Sequence, residues 1–382
     1  MPAQPFQINV PQATLDDLQA RLRNTRWTDQ IEGAGWDYGT NLEYLKSLIA
    51  YWQNGFDWRA QEARLNQFKQ FRAEIDGFGV HFIHERGKEP NPMPIILAHG
   101  WPSSFSEMVK LIPLLTDPAS HGGDPADSFD VIVPSLPGFG FSDRPDQRGM
   151  TLDRTADLWA RLMTETLGYS RFAVTGEDFG AMALRQLALK HPDLLYGLHL
   201  TYIGYAQSLP PQDNLSEAEQ HYLNTTQQWS FKEGAYAMIQ STKPQSLAYG
   251  LNDSPAGLAA WIVEKFRTWT DSDGNVERHF SKDDLLTNVM IYWVTETINS
   301  SMRMYYEIGH AAPGLKPGQH IEVPAGFACF PEDIIPPPRE WVERFLRVER
   351  WTEMPRGGHF AAFEEPELYA EDVRAFFRRF RG

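Results

Sequence analysis

Cysteine is nearly missing from this chain: Cys329 is the only one in 382 residues. An internal disulfide is therefore excluded, and a reducing compartment is expected. No segment approaches the roughly 18 consecutive apolar residues that cross a bilayer. Met1-Pro2-Ala3-Gln4-Pro5 also lacks the basic-then-apolar order of a signal peptide. Positive charge is scarce, with 35 Lys and Arg against 50 Asp and Glu. The resulting net charge of −15 argues against nucleic acid or an anionic membrane as partner. Repeats and low-complexity stretches are missing too. What remains is 42% apolar and 13% aromatic, ample for a packed core. A cytoplasmic globular protein is the expectation.

The length allows one large elaborated domain or two smaller ones. From Thr14 the chain reads as a helix, with Thr14 and Asp17 as a capping box and Leu15, Leu18 and Leu22 on one face. Trp27, Trp36, Tyr38, Tyr44, Trp52 and Trp58 follow, an aromatic density suited to an arm packed across another domain. Phe71 to Ile75, Asp76-Gly77 and Val80 to His84 read as a β-hairpin. Ile95 to Ala98, Val131 to Val133, Phe172 to Val174 and Leu198 to Ile203 are short apolar runs alternating with helical segments. That alternation predicts a largely parallel sheet with strands buried on both faces. From about Gln207 to Ala312 the pattern turns helical, and strand character returns at Val323 and Phe327-Ala328. A helical insertion between two sheet portions predicts a lid over the strand ends, where open α/β sheets bind ligands. The expected division is an arm at 1–67, core at 68–206, lid at 207–315 and core again at 316–382.

Gly176-Glu177-Asp178-Phe179-Gly180 sits between the strand-like Arg171 to Thr175 and the helix-friendly Ala181 to Lys190. On its own Gly-x-Asp-x-Gly is a common turn. Between a strand and a helix it predicts the nucleophile elbow of an α/β-hydrolase fold, with aspartate where serine is usual. A carboxylate attacks carbon to form an ester that water must cleave, which suits epoxides and alkyl halides. Three features support the elbow. His99-Gly100-Trp101-Pro102 follows a strand, so the N–H groups of Trp101 and Phe179 are candidates for an oxyanion hole. His359, in Arg356-Gly357-Gly358-His359-Phe360, stands late in the chain, as the order nucleophile, acid, histidine requires. Phe330-Pro331-Glu332-Asp333 offers an acid to orient it, and spacing alone leaves Glu332 and Asp333 both open. Asp271-x-Asp273-x-Asn275 has Val276 where a calcium loop needs glycine, and reads as a solvated turn. His81-x-x-His84-Glu85 lacks zinc-protease spacing. Neither predicts a metal.

The chain resembles the microsomal-type epoxide hydrolases and their juvenile-hormone and bacterial relatives over nearly its whole length. The resemblance rests on His99 to Phe105, Pro137-Gly138-Phe139-Gly140-Phe141-Ser142, Leu251 to Ala260 and Arg356 to Glu364. It implies an arm wrapping the catalytic domain, and a soluble form, since the anchor of the mammalian members has no counterpart here. It also implies Asp333 as the acid, with Tyr236 and Tyr305 as lid tyrosines that protonate the epoxide oxygen. Tyr306 leaves the register of the second tyrosine open by one residue. By the resemblance, Asp178 forms a hydroxyalkyl ester that water, activated by His359 and Asp333, cleaves to a vicinal diol. Small epoxides and water are then the partners, and no cofactor is needed. Glu177 and Phe179 depart from the family's common Gly-Gly-Asp-Trp-Gly elbow. Haloalkane dehalogenases share the aspartate elbow but commonly follow it with a tryptophan, which Phe179 replaces. An inactive ligand-binding relative is the remaining alternative.

Overall fold

The computed structural model describes residues 2–204, 213–311 and 315–381. Among them, nine strands form one sheet in the order β1-β2-β3-β5-β4-β6-β7-β8-β9. Their ranges are β1 Gln4–Phe6, β2 Gln70–Ile75, β3 Phe78–Glu85, β4 Met93–Ala98, β5 Phe129–Pro134, β6 Phe172–Gly176, β7 Leu195–Leu200, β8 Ile321–Cys329 and β9 Leu346–Glu353. β1, β2, β3 and β5 pair antiparallel, and from β5 through β9 every neighbour is parallel. The central parallel strands carry mostly apolar runs because both faces are covered: every residue of β4, β5 and β6 is buried.

The hairpin forms about Asp76-Gly77, with Phe71 opposite Phe82 and Ala73 opposite Val80. Two details differ from the sequence reading. The first helix runs Gln12–Arg23 and starts two residues before Thr14, with no side-chain cap; Thr14 N–H donates to Pro11 O at 3.0 Å. Pro11 sets that boundary because it lacks an N–H and fixes the entering backbone, so the Thr14–Asp17 box does not form. The strand β9 had no sequence-based counterpart. Its Leu346-Arg-Val-Glu-Arg-Trp-Thr-Glu sequence alternates charge with apolar residues, as an edge strand with one wetted face does.

Between β7 and β8 the described residues are mainly helical, with helices Glu217–Lys232, Ala235–Thr242, Pro244–Asp253, Pro255–Thr268, Lys282–Thr295 and Ile298–His310. Residues 207–212 and 312–314 of the expected lid lie outside the described residues. Three hydrogen bonds pin these helices over the strand ends: Asn288 Nδ2 to Pro102 O at 2.8 Å, Tyr292 OH to Ser103 O at 2.7 Å, and Ser300 Oγ to Gly138 O at 2.6 Å. The N-terminal segment meets both layers. β1 extends the sheet, while Thr40 Oγ1 donates to Ala260 O at 2.7 Å and Tyr51 OH to Asp283 at 2.8 Å. No described helix is long and apolar enough to cross a membrane.

Candidate active site

Asp178 opens the helix Asp178–Lys190 two residues after β6, with φ at +45°. A non-glycine residue in the left-handed region costs about 1–3 kcal/mol and persists only where its surroundings hold it. The glycines explain how the turn is held so tightly. A Cβ on Gly100 would collide with the Asp178 side chain, and one on Gly180 would run into the Ala98 carbonyl. Close approach thus fixes glycine at both positions. Trp101 N–H donates to Asp178 Oδ1 at 2.9 Å, so the loop after β4 delivers a backbone donor onto this carboxylate. Phe179 is buried beside it, and its ring has no N–H to offer.

His359 approaches Asp178 from the other side. Its Nε2 lies 3.5 Å from Asp178 Oδ2, and its Nδ1 lies 2.6 Å from Asp333 Oδ1. The three side chains come from loops after β6, β8 and β9 and are all buried. Of the two acids in the Phe330-Pro331-Glu332-Asp333 loop, Asp333 faces the imidazole; Glu332 is exposed and uses its N–H on Gly357 O at 3.1 Å. The histidine loop is braced by Glu364, whose carboxylate accepts N–H bonds from Asp271, Gly358 and Phe360 at 3.0–3.1 Å. Asp271, from the rejected calcium pattern, accepts Gly357 N–H at 3.1 Å.

Aromatic residues of the inserted helices roof this constellation. The Tyr236 ring stacks on Trp101 with centroids 5.3 Å apart and planes at 8°. Tyr305 sits edge-on to Phe179 at 4.6 Å and to Trp101 at 5.7 Å, and 5.9 Å from Tyr236. Tyr306 points elsewhere and stacks on His310 at 3.9 Å. Consecutive helical residues diverge by about 100°, so only one of the pair can face inward. That residue is Tyr305.

Burial lowers the basicity of His359, yet the charges of Asp333 and Asp178 outweigh it and push its pKa up to about 10. The free protein therefore carries an imidazolium clasped by two carboxylates. His99, buried under the neighbouring loop, is instead pushed down to about 4 by burial and stays neutral. A second buried His–Asp pair, His199 Nε2 to Asp372 at 3.0 Å, is tied to Thr175, Arg350 and Thr352 and serves the packing of the sheet.

Several neighbours escaped the sequence reading. Trp269 accepts His359 N–H on its carbonyl at 2.8 Å and sets its ring edge-on to the imidazole at 5.4 Å. Tyr202 flanks the same imidazole at 5.5 Å. Lys265, itself buried, places its ammonium 4.8 Å from the Tyr236 ring centroid. Lys265 and Trp269 lie four apart, one helical turn, and that spacing was the available signal.

A nucleophile-type elbow after β6, an acid after β8 and a histidine after β9, roofed by inserted helices, define an α/β-hydrolase. A model of the alpha/beta hydrolase fold matches residues 93–382, and a model of the epoxide hydrolase N terminus matches residues 3–108. A Stigmatella aurantiaca homologue is 45% identical over 380 residues, 99% of this chain and 85% of its own. Epoxide hydrolase 1 of Oryctolagus cuniculus is 39% identical over 402 residues, covering 97% of this chain and 88% of that protein. Among solved structures, the juvenile hormone epoxide hydrolase of the silkworm Bombyx mori aligns with a TM-score of 0.89 at 30% identity, over 99% of this chain and 95% of that one. The chain belongs to the epoxide hydrolase family.

Proposed function

We propose that this protein hydrolyses epoxides to vicinal diols through a covalent ester on Asp178. The observation that carries the reading is the buried trio Asp178–His359–Asp333 with Trp101 N–H on the nucleophile's carboxylate. In the first step Asp178 Oδ2 attacks an epoxide carbon, and the carbon–oxygen bond of the ring breaks. The oxygen released takes a proton from one phenol of Tyr236 and Tyr305 while the other donates a hydrogen bond. General-acid assistance of this kind is worth roughly 10²–10⁴ in rate. The product is a neutral hydroxyalkyl ester.

Esterification also changes His359. The Asp178 charge that helped hold its proton is gone, so the imidazolium releases that proton, which restores the tyrosine through solvent. Neutral His359, oriented by Asp333, then takes a proton from water as the hydroxide adds to the ester carbonyl. The N–H groups of Trp101 and Phe179 bear the developing oxyanion, each typically worth 10²–10³ in kcat. Collapse expels the diol oxygen, which takes the proton of the carboxylic acid just formed on Asp178, so that Asp178 returns as a carboxylate beside an imidazolium. Atoms and protons balance with water alone.

A dehalogenase reading would want a side-chain N–H following the nucleophile, and Phe179 supplies none. The tyrosines provide the test. In single-turnover experiments with a styrene-type epoxide, Tyr236→Phe and Tyr305→Phe should each slow ester formation by about 10²-fold and leave ester decay nearly as it was. Equal slowing of both steps would contradict the acid role.

A further inference from the structure

Behind Asp178 lies a pair of carboxyls that this scheme leaves unused. Glu177 precedes the nucleophile directly, and Glu107 comes from the short 3-10 turn Phe105–Lys110 that follows the Trp101 loop. Each is 1% exposed. The two carboxyls face each other. Both oxygens of Glu107 and Oε2 of Glu177 lack any N–H or O–H donor among the described residues, and Ser103, beside Glu107, spends its hydroxyl on Gly100 O at 3.1 Å. Ionised carboxylates only accept, so a hydrogen bond between two of them needs a proton on one. Burial pushes both toward holding that proton; repulsion from Asp178 acts on both, and the charges of Glu107 and Asp333 add to it at Glu177. The other groups facing the pair are the phenols of Tyr292 and Tyr369, and the imidazole of His359, which attracts the Glu107 charge.

We infer that Glu107 and Glu177 share a single proton, and that the one negative charge left on the pair supports His359 when it takes a proton from water. The inference rests on the proposed role of His359 as base. In the free protein Asp178 helps to hold the imidazolium. Once Asp178 is an ester, its charge has gone while the charge of the pair remains. Glu107 and Glu177 are thus positioning residues that act through His359 and touch no substrate.

The test compares Glu107→Gln, Glu177→Gln and the double variant in the full chain, following ester formation and ester decay by quenched intact mass across pH. Each single variant keeps one charge and one hydrogen bond, an amide N–H donating to the remaining carboxylate, so ester decay should stay within about threefold of the parent. The double variant is neutral and should slow decay about tenfold, with the acid limb of its pH profile moved down by about one unit, since one pKa unit is a factor of ten. Ester formation should persist in all three. If the double variant does not fold, Glu107→Gln with Glu177→Gly removes the same charge. Decay at the parent rate and with the parent pH limb in the neutral variant overturns the inference, as does a single variant as slow as the double. Failure to form any ester in the parent chain would instead overturn the Asp178 reading beneath it.

Discussion

At the scale of single residues, Asp178 is held by what its neighbours lack. Gly100 has no Cβ to strike its carboxylate, and Gly100→Ala should displace Asp178 from Trp101 N–H. Ester formation should then fall by about 10²-fold, since an ångström of misplacement has that effect; formation at the parental rate would show the loop to be looser than its geometry. His359 carries a pH signature. Its folded pKa, about 10, lies above the ordinary value near 6.5, so the imidazolium stabilises the fold fully below that ordinary value. That contribution fades as pH rises toward the folded value. The fall in Tm between pH 7 and about 10 should therefore be shallower in His359→Gln, and equal slopes would place the charge elsewhere. The turns that carry Asp178, His359, Trp101 and Phe179 were legible in the sequence because each has its own signature. Spacing left Asp333 and Glu332 both open and the family resemblance pointed to Asp333, which is the carboxylate that faces the imidazole. Glu107 was not legible at all, since nothing local connects position 107 to 177.

At the scale of elements, the central parallel strands were readable because strands covered on both faces carry apolar runs, as Ile95 to Ala98, Val131 to Val133 and Phe172 to Val174 do. β9 hid because its wetted edge mixes charge into the pattern. The first helix was misplaced by a capping motif that a proline three residues upstream of Thr14 overrode. Tyr305 and Tyr306 show why an element resolves what a motif cannot: the Ile298–His310 helix gives each its own direction, and only Tyr305 meets Trp101 and Phe179. The inserted helices therefore act as the carriers of the proposed acids rather than as a passive cover.

At the scale of the whole molecule, the division into arm (1–67), core and lid stands as our proposal, and the arm is its most testable part. The helix Leu42–Asn54 packs on the lid helices Pro255–Thr268 and Lys282–Thr295, with Trp52 fully buried. Trp52→Ala should lower the unfolding free energy by about 3–5 kcal/mol, the usual range for emptying a large aromatic site. A loss under about 1 kcal/mol in a denaturant titration would mean that the arm is only lightly attached. The central claim concerns the covalent state of the entire chain. The intact mass of His359→Gln after treatment with a styrene-type epoxide should rise by one substrate and stay there, because the ester forms and no base remains to cleave it. An unshifted mass with turnover retained would contradict the account.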